Sequence, residues 1–182
     1  MADFRLRVTY AETGRLVMLS HLEIARALER AVRRAGLPYA VSQGFSPHMK
    51  QAFGSALPVG VGGLEEIFDV SLTDYVPPEE ALARLRASSA PDLMPHAARY
   101  ITKDETAASA AYPRSTYEAL LEASRSGDCE MDVLAAARAL SVPSEIMVVR
   151  KKKERVLVPS EFIVGELEVE PAEPGEEGQE RA

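Results

Sequence analysis

The sequence contains little of what cysteine- or histidine-based chemistry requires. Cys129 is the only cysteine among 182 residues, so the chain can form no internal disulfide and offers no cysteine-rich zinc or iron–sulfur ligand set. The three histidines, His21, His48 and His96, lie far apart and have neither HxH nor HExxH spacing. We therefore expect no metal site and no cofactor held by this chain.

Long apolar runs are also missing. No run approaches the roughly 18 apolar residues that would suggest a membrane span. The N-terminus, MADFRLRVTY, lacks the basic-then-apolar order of a signal peptide. Hydrophobic residues make up 46% of the chain, a share that is typical of globular domains. These features predict a cytoplasmic protein without a membrane partner.

Charge is distributed unevenly along the chain. The net charge is −7, and the segment from Glu161 onward, with eight acidic residues and one arginine, accounts for all of it. Residues 1–60 instead carry eight basic and four acidic residues. A basic N-terminal part joined to an acidic tail leaves anionic partners open, although the pI is only about 5.1.

Residues 4–101 have the pattern of an α+β domain. A capping box at Ser20 and Glu23 opens a helix that ends near Gly36, and the segment Pro77–Glu80 opens a second helix. Alternation and flanking turns predict strands at Phe4–Tyr10, Leu37–Val41, Glu66–Leu72 and Met94–Ile101, with a further strand at about Met49–Phe53. The order is ferredoxin-like, βαββαβ, with two helices on one face of an antiparallel sheet.

The first helix carries two stripes of residues. The spacing of its apolar residues predicts a buried face made of Leu22, Ala25, Leu28, Val32 and Ala35. Arg26, Arg30 and Arg33 follow the spacing i, i+4, i+7 and form a basic stripe on another face. This stripe can be interpreted as a solvated surface or as a surface that faces phosphates.

Residues 104–170 predict a second, smaller α+β half. The pattern indicates a strand at Thr116–Leu121, a helix at about Met131–Leu140, a hairpin of Ile146–Arg150 and Arg155–Val158, and a last strand at Phe162–Val169. This order is compatible with a shortened ferredoxin-like copy, although no residue-level repeat links the halves. The predicted domains are therefore 1–103 and 104–170, followed by a disordered acidic tail over 171–182.

Ser42–Gly63, with the sequence SQGFSPHMKQAFGSALPVGVGG, is the least generic stretch of the chain. Its glycines and prolines set unusual backbone geometry, and loops of this kind often carry function. The GVGG at 60–63 has the glycine density of a phosphate-cradling loop. However, both GxxxxGK[ST] and GxGxxG are absent, so a turn before the next strand is the favoured interpretation.

His48 and His21 are the candidate catalytic residues. His48 lies two residues from Lys50, and a His with a nearby Lys could act as acid or base in phosphodiester cleavage. His21 would lie in the first turn of the first helix. The sequence shows no nucleophile elbow of the GxSxG type, so simple polar contacts are the alternative to catalysis.

RNA binding is another interpretation of the polar and basic residues. The predicted contacts are Arg26, Arg30, Arg33, Gln43, His48, Lys50, Lys151 and Lys152. The two lysines at 151–152 would lie at a hairpin tip, where plain solvation is the alternative. Tryptophan is absent, so base stacking would fall on Tyr39, Phe45, Phe53 or Tyr100.

The chain resembles a bacterial family of unknown function at FRLRVTYAETGRLVMLSHLE, RALERAVRRAGLP, SQGFSPHMK and ALPVG. Members of this family are found beside radical S-adenosylmethionine (SAM) proteins or fused to their C-terminus. The resemblance covers residues 4–165, with Ser46 in place of a usual Asn and Met49 in place of a usual Pro. It implies a radical SAM partner that would hold the cluster. The fold order is also similar to that of CRISPR repeat-processing endoribonucleases, which is a likeness of fold alone.

Three functions follow as expectations. The favoured one is a non-catalytic accessory module that binds structured RNA and works with a radical SAM enzyme. The second is a pure protein-interaction subunit of a radical SAM protein. The third is a metal-independent ribonuclease that uses His48 or His21.

Overall fold

A computed structural model of the chain describes residues 4–120, 133–150, 153–165 and 167–170. The chain divides into two compact units, with the boundary between Thr116 and Tyr117. In the described residues no helix combines the length and the apolar character needed to cross a bilayer.

The first unit is built on an antiparallel sheet. Its strands are β1 (Phe4–Glu12), β2 (Gln51–Phe53), β3 (Gly63–Leu72) and β4 (Leu93–Ile101), and its helices are α1 (His21–Arg34), α2 (Pro78–Ser88) and the short α3 (Ala108–Ala111). The strand order is β2-β3-β1-β4, and each neighbouring pair is antiparallel. This is the ferredoxin-like arrangement of a βαββαβ chain, so the predicted α+β fold class is confirmed.

The helices α1 and α2 cover one face of the sheet. Alternation along β1 turns Leu6 and Val8 to this face, where both are fully buried. The prediction for α1 is partly wrong, because Leu22 is 67% exposed while Ile24 is buried. These two residues lie about 200° apart around the helix, so only one of them can face the sheet. The buried residues of α1 are Ile24, Leu28, Ala31 and Val32.

Helix α1 begins and ends at the predicted residues. The Glu23 carboxylate accepts hydrogen bonds from the Ser20 backbone N–H at 2.9 Å and from the Ser20 hydroxyl at 2.7 Å. At the other end Gly36 has a φ of 63°, a left-handed conformation that glycine adopts at low cost. Local chemistry alone therefore defines both ends of this helix.

The second strand of the sheet is not the predicted one. Leu37–Val41 makes only isolated bridges, from Tyr39 to Leu72 and from Val41 to Met49. The edge of β3 instead pairs with β2, which lies within the further strand predicted at about Met49–Phe53. Pro38 lacks a backbone N–H for a regular ladder, which favours the Gln51–Phe53 segment in that position.

The second unit contains a hairpin of β5 (Ile146–Arg150) and β6 (Lys153–Leu157), as predicted, and helix α4 (Val133–Arg138) within the predicted range. The strands predicted at 116–121 and 162–169 are wrong, because the described residues of both ranges are not in a strand. Phe162 instead follows a 3-10 turn and donates its N–H to the carbonyl of Pro159 at 2.9 Å. The described part of this unit therefore lacks the strands of a full second ferredoxin-like copy.

Candidate functional site

A buried ion pair organises the face of the sheet that α1 and α2 leave open. Arg7 on β1 and Asp69 on β3 oppose each other in the ladder and are 5% and 4% exposed. The Arg7 guanidinium donates to both carboxylate oxygens of Asp69, at 2.7 and 2.9 Å. These bonds raise the pKa of Arg7, so its guanidinium stays charged in spite of its burial.

The segment after β4 completes the hydrogen bonding of this pair. Arg7 donates to the carbonyl of Thr106 at 2.7 Å, and the N–H of Ala108 donates to Asp69 at 2.9 Å. Sequence patterns place a domain boundary after residue 103, whereas the first compact unit extends to Thr116. The contacts at Thr106 and Ala108 explain this extension, because they hold α3 against the sheet.

An open pocket of about 290 Å³ lies beside the ion pair on the same face. Its lining residues are Arg5, His48, Met49, Lys50, Gln51, Ala52, Asp69 and Ser71. An Arg5 nitrogen lies 3.5 Å from Asp69, but both oxygens of that carboxylate already accept bonds from Arg7. The lining therefore combines two basic side chains, Arg5 and Lys50, with one carboxylate that is already bonded to Arg7, and this composition suits an anion.

His48 reaches this pocket from a closed loop, Ser42–His48. The N–H of Ser42 donates to the carbonyl of His48 at 2.8 Å, and the N–H of His48 donates to the Ser42 hydroxyl oxygen at 3.1 Å. His48 Nδ1 lies 2.9 Å from that hydroxyl and 3.2 Å from the carbonyl oxygen of Ser46. Because a carbonyl only accepts, we assign the hydrogen of the neutral ring to Nδ1, which makes Nε2 the acceptor.

The second candidate histidine, His21, lies elsewhere. Its ring packs edge-on against Phe53, with 5.3 Å between the ring centroids. Phe53 in turn stacks on Phe68 of the core, which belongs to the helix-covered face. The two candidate histidines therefore do not line one pocket.

The arginine stripe of α1 does not line this pocket either. Arg33 pairs with Glu29 at 2.6 Å and donates to the hydroxyl of Tyr39 at 2.6 Å. The bond to Glu29 raises the pKa of Arg33. Arg30 borders a different pocket of about 220 Å³, lined mainly by alanine and leucine side chains, and Arg26 is exposed. Because α1 covers the opposite face of the sheet, the stripe and the pocket are separate surfaces.

Three further residues were predicted to contact RNA, namely Gln43, Lys151 and Lys152. Gln43 is exposed in the Ser42–His48 loop. Lys151 and Lys152 lie outside the described residues, as does Cys129. The described residues contain no group of three or more His, Cys, Asp or Glu side chains placed to hold a metal ion.

Arg5 and Asp69 are site residues that the sequence analysis missed. A usable signal existed, because Arg5 and Arg7 share the polar face of a strand that alternates clearly. That signal does not reveal which strand lies beside β1. The register that opposes Arg7 to Asp69 is a property of the sheet, and only the sheet brings Arg5 to the residues around His48.

Two carboxylates lie together near the glycines at 60–63. Burial raises the pKa of Glu12, and the charge of Glu66 raises it further. The pKa of Glu66 is also raised by burial. A Cβ on Gly63 would lie 2.6 Å from Cγ of Glu66, so this glycine permits close packing against an acid. An acidic environment of this kind opposes a phosphate and fits the predicted turn.

Comparison with known proteins gives a family for this chain. The family described as "Uncharacterized protein conserved in bacteria (DUF2344)" matches residues 5–163. No curated protein and no solved structure matches the chain. The family description names no activity, substrate or partner.

Proposed function

Because the chain belongs to a bacterial family of uncharacterized proteins, its site is the guide to its function, and we propose that it binds RNA. In this proposal the pocket around Arg5, His48 and Lys50 holds backbone phosphates. The chain itself acts as a non-catalytic accessory module.

One observation supports this proposal above the others, namely the convergence of three nitrogen-bearing side chains on one open pocket. They come from β1, from the end of the Ser42–His48 loop and from the residue before β2. The guanidinium of Arg5 offers a planar set of donors that suits phosphate oxygens. An open pocket on a sheet face also suits a polymer backbone better than an enclosed small ligand.

The test is RNA binding measured by fluorescence anisotropy at about 50 and 200 mM salt, a range over which phosphate contacts weaken strongly. Arg5→Gln and Lys50→Gln should each weaken binding and lower the salt slope by about one. Arg84→Gln is the charge-matched control, because Arg84 is an exposed residue of α2 that pairs with Glu80. Absence of binding at the lower salt, or an equal loss in the control, would contradict the proposal.

The same assay decides whether the α1 stripe contributes. Arg26→Gln removes an exposed charge from the face opposite the pocket. If RNA is held by the pocket alone, this variant should bind like the wild type. A loss as large as that of Arg5→Gln would move the interface to α1.

We also propose that the module serves a radical SAM enzyme, as the resemblance at the first helix and the Ser42–His48 loop implies. The chain would then bind the RNA while the partner supplies the reaction. Co-purification of a tagged chain with the radical SAM protein, with and without nuclease, tests this partnership. Survival of the complex after nuclease treatment favours direct protein contact, and its absence under both conditions removes the partnership.

A metal-independent ribonuclease is the second candidate function, and the orientation of His48 favours it. With Nδ1 held near the carbonyl of Ser46, Nε2 is the basic nitrogen of the ring, and His48 and Lys50 line the same pocket. A base in this position could take a proton from a ribose hydroxyl. His48→Ala should then abolish cleavage while RNA binding persists, and equal cleavage by the variant would exclude His48 as the base.

A further inference from the structure

Phe45 is a fully exposed aromatic residue in the Ser42–His48 loop. Its relative exposure is 113%, the highest among the exposed large hydrophobic residues that the structure describes. A single exposed hydrophobic side chain is ordinary on a protein surface, but Phe45 belongs to the loop that brings His48 to the pocket lined by Arg5 and Lys50. An exposed ring beside basic side chains suits a ligand that has an apolar, planar group as well as an anion.

The other aromatic residues considered for base stacking are already engaged. Phe53 packs between two rings, at centroid distances of 5.3 and 5.9 Å. Tyr39 lies 4.8 Å beneath the guanidinium of Arg33. Tyr100 stacks on a neighbouring tyrosine at 5.1 Å, and its hydroxyl donates to a backbone carbonyl at 2.8 Å. Tyr39, Phe53 and Tyr100 also pack against the core, whereas Phe45 is fully exposed.

The loop keeps Phe45 close to the cationic pocket. Val41 and Met49 form a bridge, and Ser42 and His48 bond to each other just inside it, so the base of the loop is closed. Phe45 lies three residues from His48, which limits their Cα separation to roughly 11 Å. Adjoining nucleotides of a single strand can bridge such a distance.

We propose that Phe45 is a stacking platform for an unpaired base, so that the RNA recognised at this site is single-stranded. This inference rests on the proposed function, because it places the base next to a phosphate held by Arg5 and Lys50. Bases inside a duplex stack on one another and are closed to a side chain, whereas unpaired bases stack readily on aromatic rings. A structured RNA would have to present an unpaired stretch to this loop.

The positive charge of the pocket favours RNA over a protein as the occupant. Arg5 and Lys50 lie beside a carboxylate that Arg7 already neutralises. A ligand that joins a planar apolar group to a nearby anion meets both features at once. Every nucleotide of an RNA chain joins a planar base to a nearby phosphate.

The test uses the full chain, a short labelled single-stranded RNA and a blunt-ended RNA duplex with the same number of phosphates. Phe45→Ala should weaken single-strand binding by roughly 5- to 150-fold, the range expected for the loss of one stacked base. Duplex binding and the salt slope should not change, because no phosphate contact is removed. Phe45→Tyr should restore binding, and Phe162→Ala, the same change at an exposed phenylalanine of the second unit, should have no effect.

The outcomes separate this inference from the proposed function. If Phe45→Ala keeps its single-strand affinity while Arg5→Gln loses affinity, the phosphate site stands and the stacking role is overturned. If Phe45→Ala instead loses only the co-purifying protein, Phe45 belongs to a protein interface and the inference is also overturned. If the wild type binds neither RNA, the proposed function itself has failed.

Discussion

At the scale of single residues, Asp69 holds together the hydrogen bonding on the face of the sheet that α1 and α2 leave open. Its carboxylate accepts bonds from Arg7 and from the N–H of Ala108. Without it, Arg7 would remain buried as an uncompensated charge. A buried ion pair is not in itself strong evidence of stability, but removal of one partner is costly.

We therefore predict that Asp69→Ala lowers the free energy of unfolding by about 3–5 kcal/mol. Urea denaturation followed by circular dichroism measures this loss. Glu29→Ala is the matched control, because it breaks the exposed pair with Arg33 and should cost less than about 1 kcal/mol. If Asp69→Ala does not fold, Asp69→Asn keeps an acceptor for Ala108 but leaves the charge of Arg7 unpaired, so it should still lose more stability than the control. Equal small losses in both variants would contradict the buried-charge argument.

Glu12 leads to a prediction about pH. Burial, and then the charge of Glu66, raise its pKa above the ordinary value of 4.5, so the folded state favours the protonated acid. Stability from this residue is complete below pH 4.5 and is lost as the pH rises through the raised pKa. Glu12→Gln should therefore raise the melting temperature at pH 7, with a gain that shrinks below pH 4.5. Glu65→Gln removes an exposed carboxylate of the same sheet and is the matched control for the loss of one charge.

At the scale of secondary-structure elements, α1 and the Ser42–His48 loop are defined in different ways. Helix α1 has a capping box at Ser20 and a left-handed glycine after its last turn, and both features are local. The loop is closed by contacts between its two ends. The position of its tip therefore depends on these contacts and on the bridge between Val41 and Met49.

The end of α1 allows a clean test of backbone conformation. Gly36 has a φ of 63°, and a Cβ added there would meet nothing within 4 Å. Gly36→Ala should therefore cost about 1–2 kcal/mol through the left-handed conformation alone. Gly36→Asn should cost less, because asparagine tolerates this conformation better. Chemical denaturation of both variants measures the difference, and equal costs would point to a cause other than φ.

At the scale of the whole molecule, a few hydrogen bonds account for the C-terminal boundary of the first unit. Thr106 and Ala108 lie beyond the last strand of the sheet, yet they complete the bonding of Arg7 and Asp69. A fragment of residues 1–116 keeps these groups, whereas a fragment of residues 1–103 loses them. The comparison therefore tests both the domain boundary and the ion pair.

We predict that the 1–116 fragment is the more stable of the two. The shorter fragment leaves part of the buried pair without its backbone partners, and each unsatisfied group costs about 1–3 kcal/mol. Thermal unfolding of both fragments, followed by far-UV circular dichroism, measures the difference. Equal melting temperatures would mean that residues 104–116 do not stabilise the sheet.

Much of the fold was predictable because its signals are local. Alternation in Phe4–Tyr10 and Glu66–Leu72, the capping box at Ser20 and the glycine after α1 all act within a few residues. The rotation of α1 was not predictable, because both Leu22 and Ile24 are apolar and only packing chooses between them. Part of the site was also found in the sequence, since His48 and Lys50 belong to its least generic loop.

The sequence by itself determined the α+β class, both ends of α1 and the β5–β6 hairpin, and it predicted a candidate site in the Ser42–Gly63 stretch. Only the tertiary structure decided which segment forms β2 and which residues surround His48. Arg5 lies more than forty positions from His48 in the chain, and they line one pocket because β1 pairs with β3 and β3 pairs with β2. Strand pairing of this kind depends on which long-range contacts satisfy the backbone and bury the core, and no local pattern carries that information.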